Sequence, residues 1–107
     1  FDYKKLKLLN KDSIVINVSR GKLLCLNSLY KCIKEKKIFG AGLDVADPEP
    51  LSKNHKLFKL ENFVYSPHIA GISDNFAQRN FDLIIKNMTR FINNKSLLNN
   101  INLRLGY

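Results

Sequence analysis

Gly40-Ala41-Gly42-Leu43-Asp44-Val45-Ala46-Asp47-Pro48-Glu49-Pro50 is the stretch around which the other segments can be placed. Small and aliphatic residues lead into acids and prolines, so it reads as a buried strand, about Gly40 to Val45, running into a sharply turned loop. Asp44 and Glu49 then sit at or just past the C-terminal end of a strand. In open α/β sheets that edge is where ligands bind.

Working outward, Ser13 to Val18 carries Ile14, Val15, Ile16 and Val18, a β-branched run interrupted only by Asn17. It reads as a buried strand of the parallel type. A tight loop, Ser19-Arg20-Gly21-Lys22, follows. Leu26, Leu29, Tyr30 and Ile33 recur at helical spacing opposite lysines, predicting a helix from Leu26 to Lys37 that stops at Phe39-Gly40. Upstream, Leu6 and Leu9 against lysines suggest the end of an amphipathic helix within Phe1 to Lys11.

Downstream, Pro48, Pro50 and Ser52-Lys53-Asn54 forbid regular structure, His55 to Leu60 fits one helical turn, and Asn62 to Ser66 reads as a strand stopped by Pro67. Ser73 is the expected N-cap of a long helix reaching about Asn93, with Asp74 favourable in its first turn. Its stripe of Ala77, Phe81, Ile84, Ile85, Met88 and Ile92 spans roughly 30 Å and needs a partner surface. The tail from Asn94 to Tyr107 is polar, then weakly alternating.

Strand, helix, strand, loop, strand, helix is the second half of a doubly wound α/β parallel sheet followed by a long C-terminal helix. A chain of 107 residues makes at most one domain and buries about 65% of its unfolded surface. It begins with Phe inside a helical pattern, which predicts a piece of something longer.

No apolar run approaches the roughly 20 residues of a membrane span, and no membrane partner is expected. Cys25 and Cys32 would lie about 10 Å apart along one helix, too far for a disulfide, so two free thiols and a cytoplasmic, reducing compartment are expected. The formal charge of +9 permits a nucleic-acid partner. Its lysines are scattered, arginines are few and no aromatics interleave to stack bases, so a solvated surface is the preferred reading and no nucleic acid is expected.

Each strand is followed within a few residues by a polar group able to do chemistry: Arg20 after the first, Asp44 and Glu49 after the second, His68 after the third. Parallel topology brings all of them to one rim. Taken singly they have blander readings: a surface arginine, a turn glutamate, a loop-capping aspartate, a structural histidine. His55 reads as a surface residue. His55, His68, Cys25 and Cys32 lack paired ligand spacing, so no metal site is expected.

Ile16-Asn17-Val18-Ser19-Arg20-Gly21, Gly40 to Val45 with Glu49-Pro50-Leu51, and Ser66-Pro67-His68-Ile69-Ala70-Gly71 resemble, in order, the C-terminal signatures of the D-isomer-specific 2-hydroxyacid dehydrogenases. Asp47 to Leu51, then Asn54-His55, Leu57, Leu60 and Asn62, look most like the glyoxylate and hydroxypyruvate reductase branch. The resemblance implies the C-terminal portion of a Rossmann-like dinucleotide-binding domain over residues 1–93. Its helix at 73–93 would lead back toward a substrate domain, with 94–107 a tail. It also implies NAD or NADP as cofactor, a 2-oxo or D-2-hydroxy acid as substrate, and a homodimer.

The same resemblance implies roles. Arg20 would hold the substrate carboxylate, which suits a planar guanidinium fork. His68 would give a proton to the substrate carbonyl oxygen, a task suited to imidazole near neutral pH. Glu49 would pair with that imidazole, fixing its tautomer and favouring its protonated form. Asp44 would lie near the nicotinamide end of the cofactor, and Val18, Ser19, Ile69, Ala70 and Gly71 would line the same pocket with Arg20 and His68. The chain departs from the family pattern at Ala46, where an aromatic is common, and at Leu26-Asn27, where an acid is common.

Relatives of this fold include corepressors that sense dinucleotide, so a non-enzymatic binding module is the alternative reading. The glycine-rich phosphate loop lies outside these residues, which leaves NAD and NADP undistinguished and predicts that the 107 residues alone are inactive.

Overall fold

The computed structural model describes residues 1–105, which form parts of two compact units, Phe1–Ala70 and Gly71–Tyr107. In the first unit, helix α1 (Tyr3–Leu6) is followed by strand β1 (Ile14–Asn17), helix α2 (Leu26–Lys34), strand β2 (Gly40–Leu43) and strand β3 (Phe63–Tyr65). Short 3-10 turns at Gly21–Leu23 and Lys56–Lys59 sit in the connections. The strands form one parallel sheet in the order β1-β2-β3. Asn17 pairs with Leu43, and Leu43 with Tyr65, so the three C-terminal ends are level.

The helices start and stop for local reasons. Asp2 caps α1 by accepting from the Lys5 amide at 3.0 Å. Helix α2 ends at Lys34, three residues earlier than the spacing predicts, and Lys36 turns the chain with a positive φ of 55°. Ile38 is then buried and leads into β2.

Side chains alternate across the sheet with period two. Val15, Ala41, Leu43, Phe63 and Tyr65 face a core that includes Leu6, Leu29, Cys32, Ile33, Leu51 and Leu57. Each fully buried leucine there contributes about 1.5–3 kcal/mol. The opposite face is open: Ile14, Ile16 and Val64 are 59%, 71% and 70% exposed. The β-branched run of β1, interrupted only by Asn17, predicts a buried strand, but Ile14 and Ile16 on one face are exposed.

The second unit holds α3 (Phe76–Ile92). It begins three residues after Ser73, because the Ser73 carbonyl accepts from the Phe76 amide at 2.9 Å in a turn that precedes the helix. Asn75 is the N-cap and makes no side-chain capping bond. Phe81, Ile84, Ile85, Met88 and Ile92 of the predicted stripe are all exposed. No helix among the described residues is long and apolar enough to cross a membrane.

Candidate active site at the strand ends

The ladder continues past the strands. The Asp44 amide donates to the Asn17 carbonyl at 3.0 Å and the Ser66 amide to the Leu43 carbonyl at 2.9 Å. Three loops therefore leave the sheet at one level, carrying Arg20, Asp44 with Glu49, and His68.

Asp44 is buried and works on the loop after β3. Its Oδ1 accepts from Ser66 Oγ at 2.5 Å and from the Ile69 amide at 2.9 Å, and the Ala70 amide lies 3.0 Å from Oδ2. Its own carbonyl takes the His68 amide at 2.7 Å. The Ser66 hydroxyl, with the Ala70 and Ile69 amides and the nearby His68, holds the Asp44 carboxyl below its usual range against the opposing effect of burial. His68 itself has a φ of 57°, a left-handed conformation that costs a non-glycine residue about 1–2 kcal/mol. The bonds from Asp44 on either side of the residue offset that strain.

Glu49 reaches the same imidazole from the middle loop. Its Oε1 accepts from the Ala46 amide at 2.9 Å and its Oε2 lies 3.2 Å from His68 Nδ1. The Ala46 amide and then the His68 ring hold the Glu49 carboxyl below its ordinary value. With Nδ1 engaged by a carboxylate, Nε2 is the nitrogen left to meet a ligand. Both side chains are about half exposed, at 54% for His68 and 37% for Glu49, so the pair is open to solvent on the rim.

Arg20 sits on the same edge, three residues past the end of β1. Its guanidinium donates to the Ser19 carbonyl at 2.7 Å and is exposed, with no hydrogen bond or ion pair to Glu49 or His68 among the described residues. The backbone of its loop is fixed against the middle loop. A Cβ built on Gly21 would lie 1.9 Å from the Ala46 carbonyl oxygen, so only glycine permits this approach. Ser19 and Val18 are exposed beside it, Ile69 and Ala70 are exposed beside His68, and Gly71 opens the second unit.

Asn17, Ser66 and Gly21 carry roles that the residue-by-residue reading of the strands did not assign to them. The available signals were an amide inside an otherwise aliphatic strand, a hydroxyl just after β3, and a glycine directly after the arginine. His55, read as a surface histidine, is half-buried. Its Nδ1 accepts from the Leu57 amide at 3.3 Å, and burial lowers its pKa. Both cysteines are free, Cys25 exposed and Cys32 buried. Among the described residues no cluster of three His, Cys, Asp or Glu is placed to hold a metal ion.

Consecutive parallel strands, a crossover helix on one face and polar loops on the C-terminal edge define half of a doubly wound, Rossmann-type sheet. Residues 1–70 match the model of the D-isomer specific 2-hydroxyacid dehydrogenase, NAD binding domain, and the chain belongs to that family.

A glyoxylate reductase of Pyrococcus horikoshii is 44% identical over 88 residues, 82% of this chain and 26% of that protein. A glyoxylate/hydroxypyruvate reductase of Arabidopsis thaliana is 42% identical over 102 residues, 92% of this chain and 30% of that one. Among solved structures, an NADPH-dependent glyoxylate/hydroxypyruvate reductase of Sinorhizobium meliloti, in complex with NADP and sulfate, superposes with a TM-score of 0.86 at 26% identity. It covers 100% of this chain and 35% of that one. A D-isomer specific 2-hydroxyacid dehydrogenase of Xanthobacter autotrophicus, in complex with NADPH and MES, gives 0.84 at 28% identity, over 98% of this chain and 43% of that one. The chain thus spans between a quarter and a half of the length of these relatives.

Proposed function

We propose that these residues are the C-terminal portion of an NAD(P)-dependent reductase that converts a 2-oxo acid, glyoxylate or hydroxypyruvate, to its D-2-hydroxy acid. In this reading residues 1–93 complete the dinucleotide-binding domain, with 73–93 leading back to a substrate domain and 94–107 a tail. The observation that carries the proposal is the pairing of Glu49 Oε2 with His68 Nδ1 at 3.2 Å on a rim that also bears Arg20.

Residues on that rim suit a nicotinamide dinucleotide. Val18 and Ile69 are apolar yet 63% and 47% exposed at the strand ends, a surface fit for a flat ring, and Ser19 and Ala70 are small enough for close approach. Bound there, the cofactor would supply hydride. Arg20 grips the substrate carboxylate with a charge-assisted fork. His68, protonated, donates from Nε2 to the carbonyl oxygen as negative charge develops on it. Glu49 keeps Nδ1 protonated and the ring oriented, and offsets the imidazolium charge. Asp44 keeps the backbone of the histidine loop in place beside the cofactor.

Two free thiols fit a reducing cytoplasm. The uncovered stripe of α3, with Ile84, Ile85 and Met88, fits a homodimer.

The test is a spectrophotometric assay of the full-length enzyme with NADH and NADPH against glyoxylate and hydroxypyruvate. Turnover is expected with at least one pair, and His68→Ala is expected to lower kcat on the order of 10²–10⁴-fold. Dinucleotide binding without turnover on either acid, or a His68→Ala enzyme as fast as wild type, would overturn the reading.

A further inference from the structure

We propose that Asn17 is a positioning residue that sets where Arg20 meets the substrate carboxylate, an assignment that rests on the reductase reading above. Asn17 and Asp44 are the buried polar side chains among the described residues, and Asn17 is only 9% exposed. A buried amide in an aliphatic strand costs about 1–3 kcal/mol unless its polar atoms are satisfied. Here each atom is used, and each is used on the arginine loop. Oδ1 accepts from the Ser19 amide at 3.1 Å, while Nδ2 donates to the Arg20 carbonyl at 3.0 Å. The Arg20 carbonyl also takes the Leu23 amide at 3.2 Å, which ties the loop to the 3-10 turn that follows.

The backbone of Arg20 is therefore fixed on both sides. Asn17 holds its carbonyl, and the next residue, Gly21, is seated against the Ala46 carbonyl. The guanidinium arm is exposed and held by a single hydrogen bond to the Ser19 carbonyl. The side-chain chemistry is specific, because the loop offers one N–H and one C=O, so the clamp must present one acceptor and one donor. Aspartate is the same shape but has no donor, and it would aim a carboxylate at the Arg20 carbonyl. Serine reaches one partner and not both. Alanine leaves both unpaired. A displaced arginine weakens the grip on carboxylate, whereas of the cofactor-facing residues only Ser19 is held by Asn17 while Ile69 and Ala70 are held by Asp44, so a loss larger for the acid than for the dinucleotide separates this role from general damage to the fold.

The experiment uses the full-length enzyme with Asn17→Asp, Asn17→Ala and Asn17→Ser. It measures KM for glyoxylate and for the preferred dinucleotide, and the calorimetric Kd of oxalate as an unreactive carboxylate probe. Asn17→Asp and Asn17→Ala are expected to raise the glyoxylate KM and the oxalate Kd by about tenfold or more, with a smaller rise, about threefold at most, in the dinucleotide KM through Ser19. Asn17→Ser should fall between these variants and wild type, and it carries the measurement alone if the other two do not fold.

Combined with Arg20→Ala, Asn17→Ala should add almost nothing to the loss in oxalate affinity, because both act through one group. Unchanged glyoxylate KM and oxalate Kd, equal losses for dinucleotide and acid, or additive losses in the double variant would each overturn the assignment. Wild-type enzyme that reduces no 2-oxo acid overturns the reductase reading and this assignment together. An active wild type matched by its Asn17 variants overturns this assignment alone.

Discussion

The loops carrying Arg20 and His68 leave the two outer strands, β1 and β3, at one sheet edge, yet they are held by opposite chemistry. Asn17 holds the arginine loop from two and three residues away with a neutral amide. Asp44 holds the histidine loop from 22 to 26 residues away with a carboxylate that accepts a hydroxyl and two amides. The local clamp is formed by the loop's own strand and does not titrate in the working range. The distant clamp ties two strands together and depends on charge. The difference follows from what each loop presents: a long flexible arm needs only an anchored base, whereas a compact imidazole at a φ of 57° needs its backbone fixed as well.

Removing the charged clamp is expected to have the larger effect. Asp44→Ala leaves the Ile69 and Ala70 amides and the Ser66 hydroxyl without their acceptor, and kcat for 2-oxo acid reduction should fall on the order of 10²-fold as the imidazole shifts. Steady-state assay of the variant checks this. A fall confined to KM for the acid would erase the distinction between the two clamps.

Next in size is Gly21→Ala, which forces a Cβ toward the Ala46 carbonyl at 1.9 Å. It should destabilise the protein by about 1–3 kcal/mol through overpacking, read as a lowered denaturant midpoint. No loss would mean that the arginine loop is not seated on the middle loop.

The smallest effect sharpens the contrast through pH. Asp44 and Glu49 both have native pKa values held below the ordinary carboxylate range. Their contribution to stability is then complete above about pH 5, where unfolded carboxylates are ionised, and is lost as pH falls through the lowered native values. Thermal unfolding of the wild type should weaken across that acid window. Asp44→Asn should flatten the slope, whereas Asn17→Ser, which removes no titrating group, should leave it unchanged. Parallel slopes in all three proteins would contradict the charge-dependent clamp.

Much of the frame was legible in the residues. Ser13 to Val18 and about Gly40 to Val45 read as strands because β-branched and small residues bounded by turn signals leave little else, and the observed strands end slightly earlier, at Asn17 and Leu43. Parallel order then placed Arg20, Glu49 and His68 on one rim. What escaped was the reach of individual polar atoms. Asn17 registered only as an interruption, since whether an amide turns toward its own loop depends on burial that periodicity does not report. Asp44 and His68 are 24 positions apart, and the bond from the His68 amide to the Asp44 carbonyl depends on β2 and β3 pairing in one register. The open face of Ile14 and Ile16 was read as buried, because an aliphatic run does not say whether a covering layer lies in the same chain.

The central claim is that guanidinium and imidazole address one small acid. A crystal structure of the full-length enzyme with dinucleotide and oxalate tests it most directly. Oxalate is expected with one carboxylate on the Arg20 guanidinium and an oxygen of the other within hydrogen-bond distance of His68 Nε2, while Nδ1 stays on Glu49. Oxalate bound without Arg20, or a His68 ring turned away from Glu49, would contradict it.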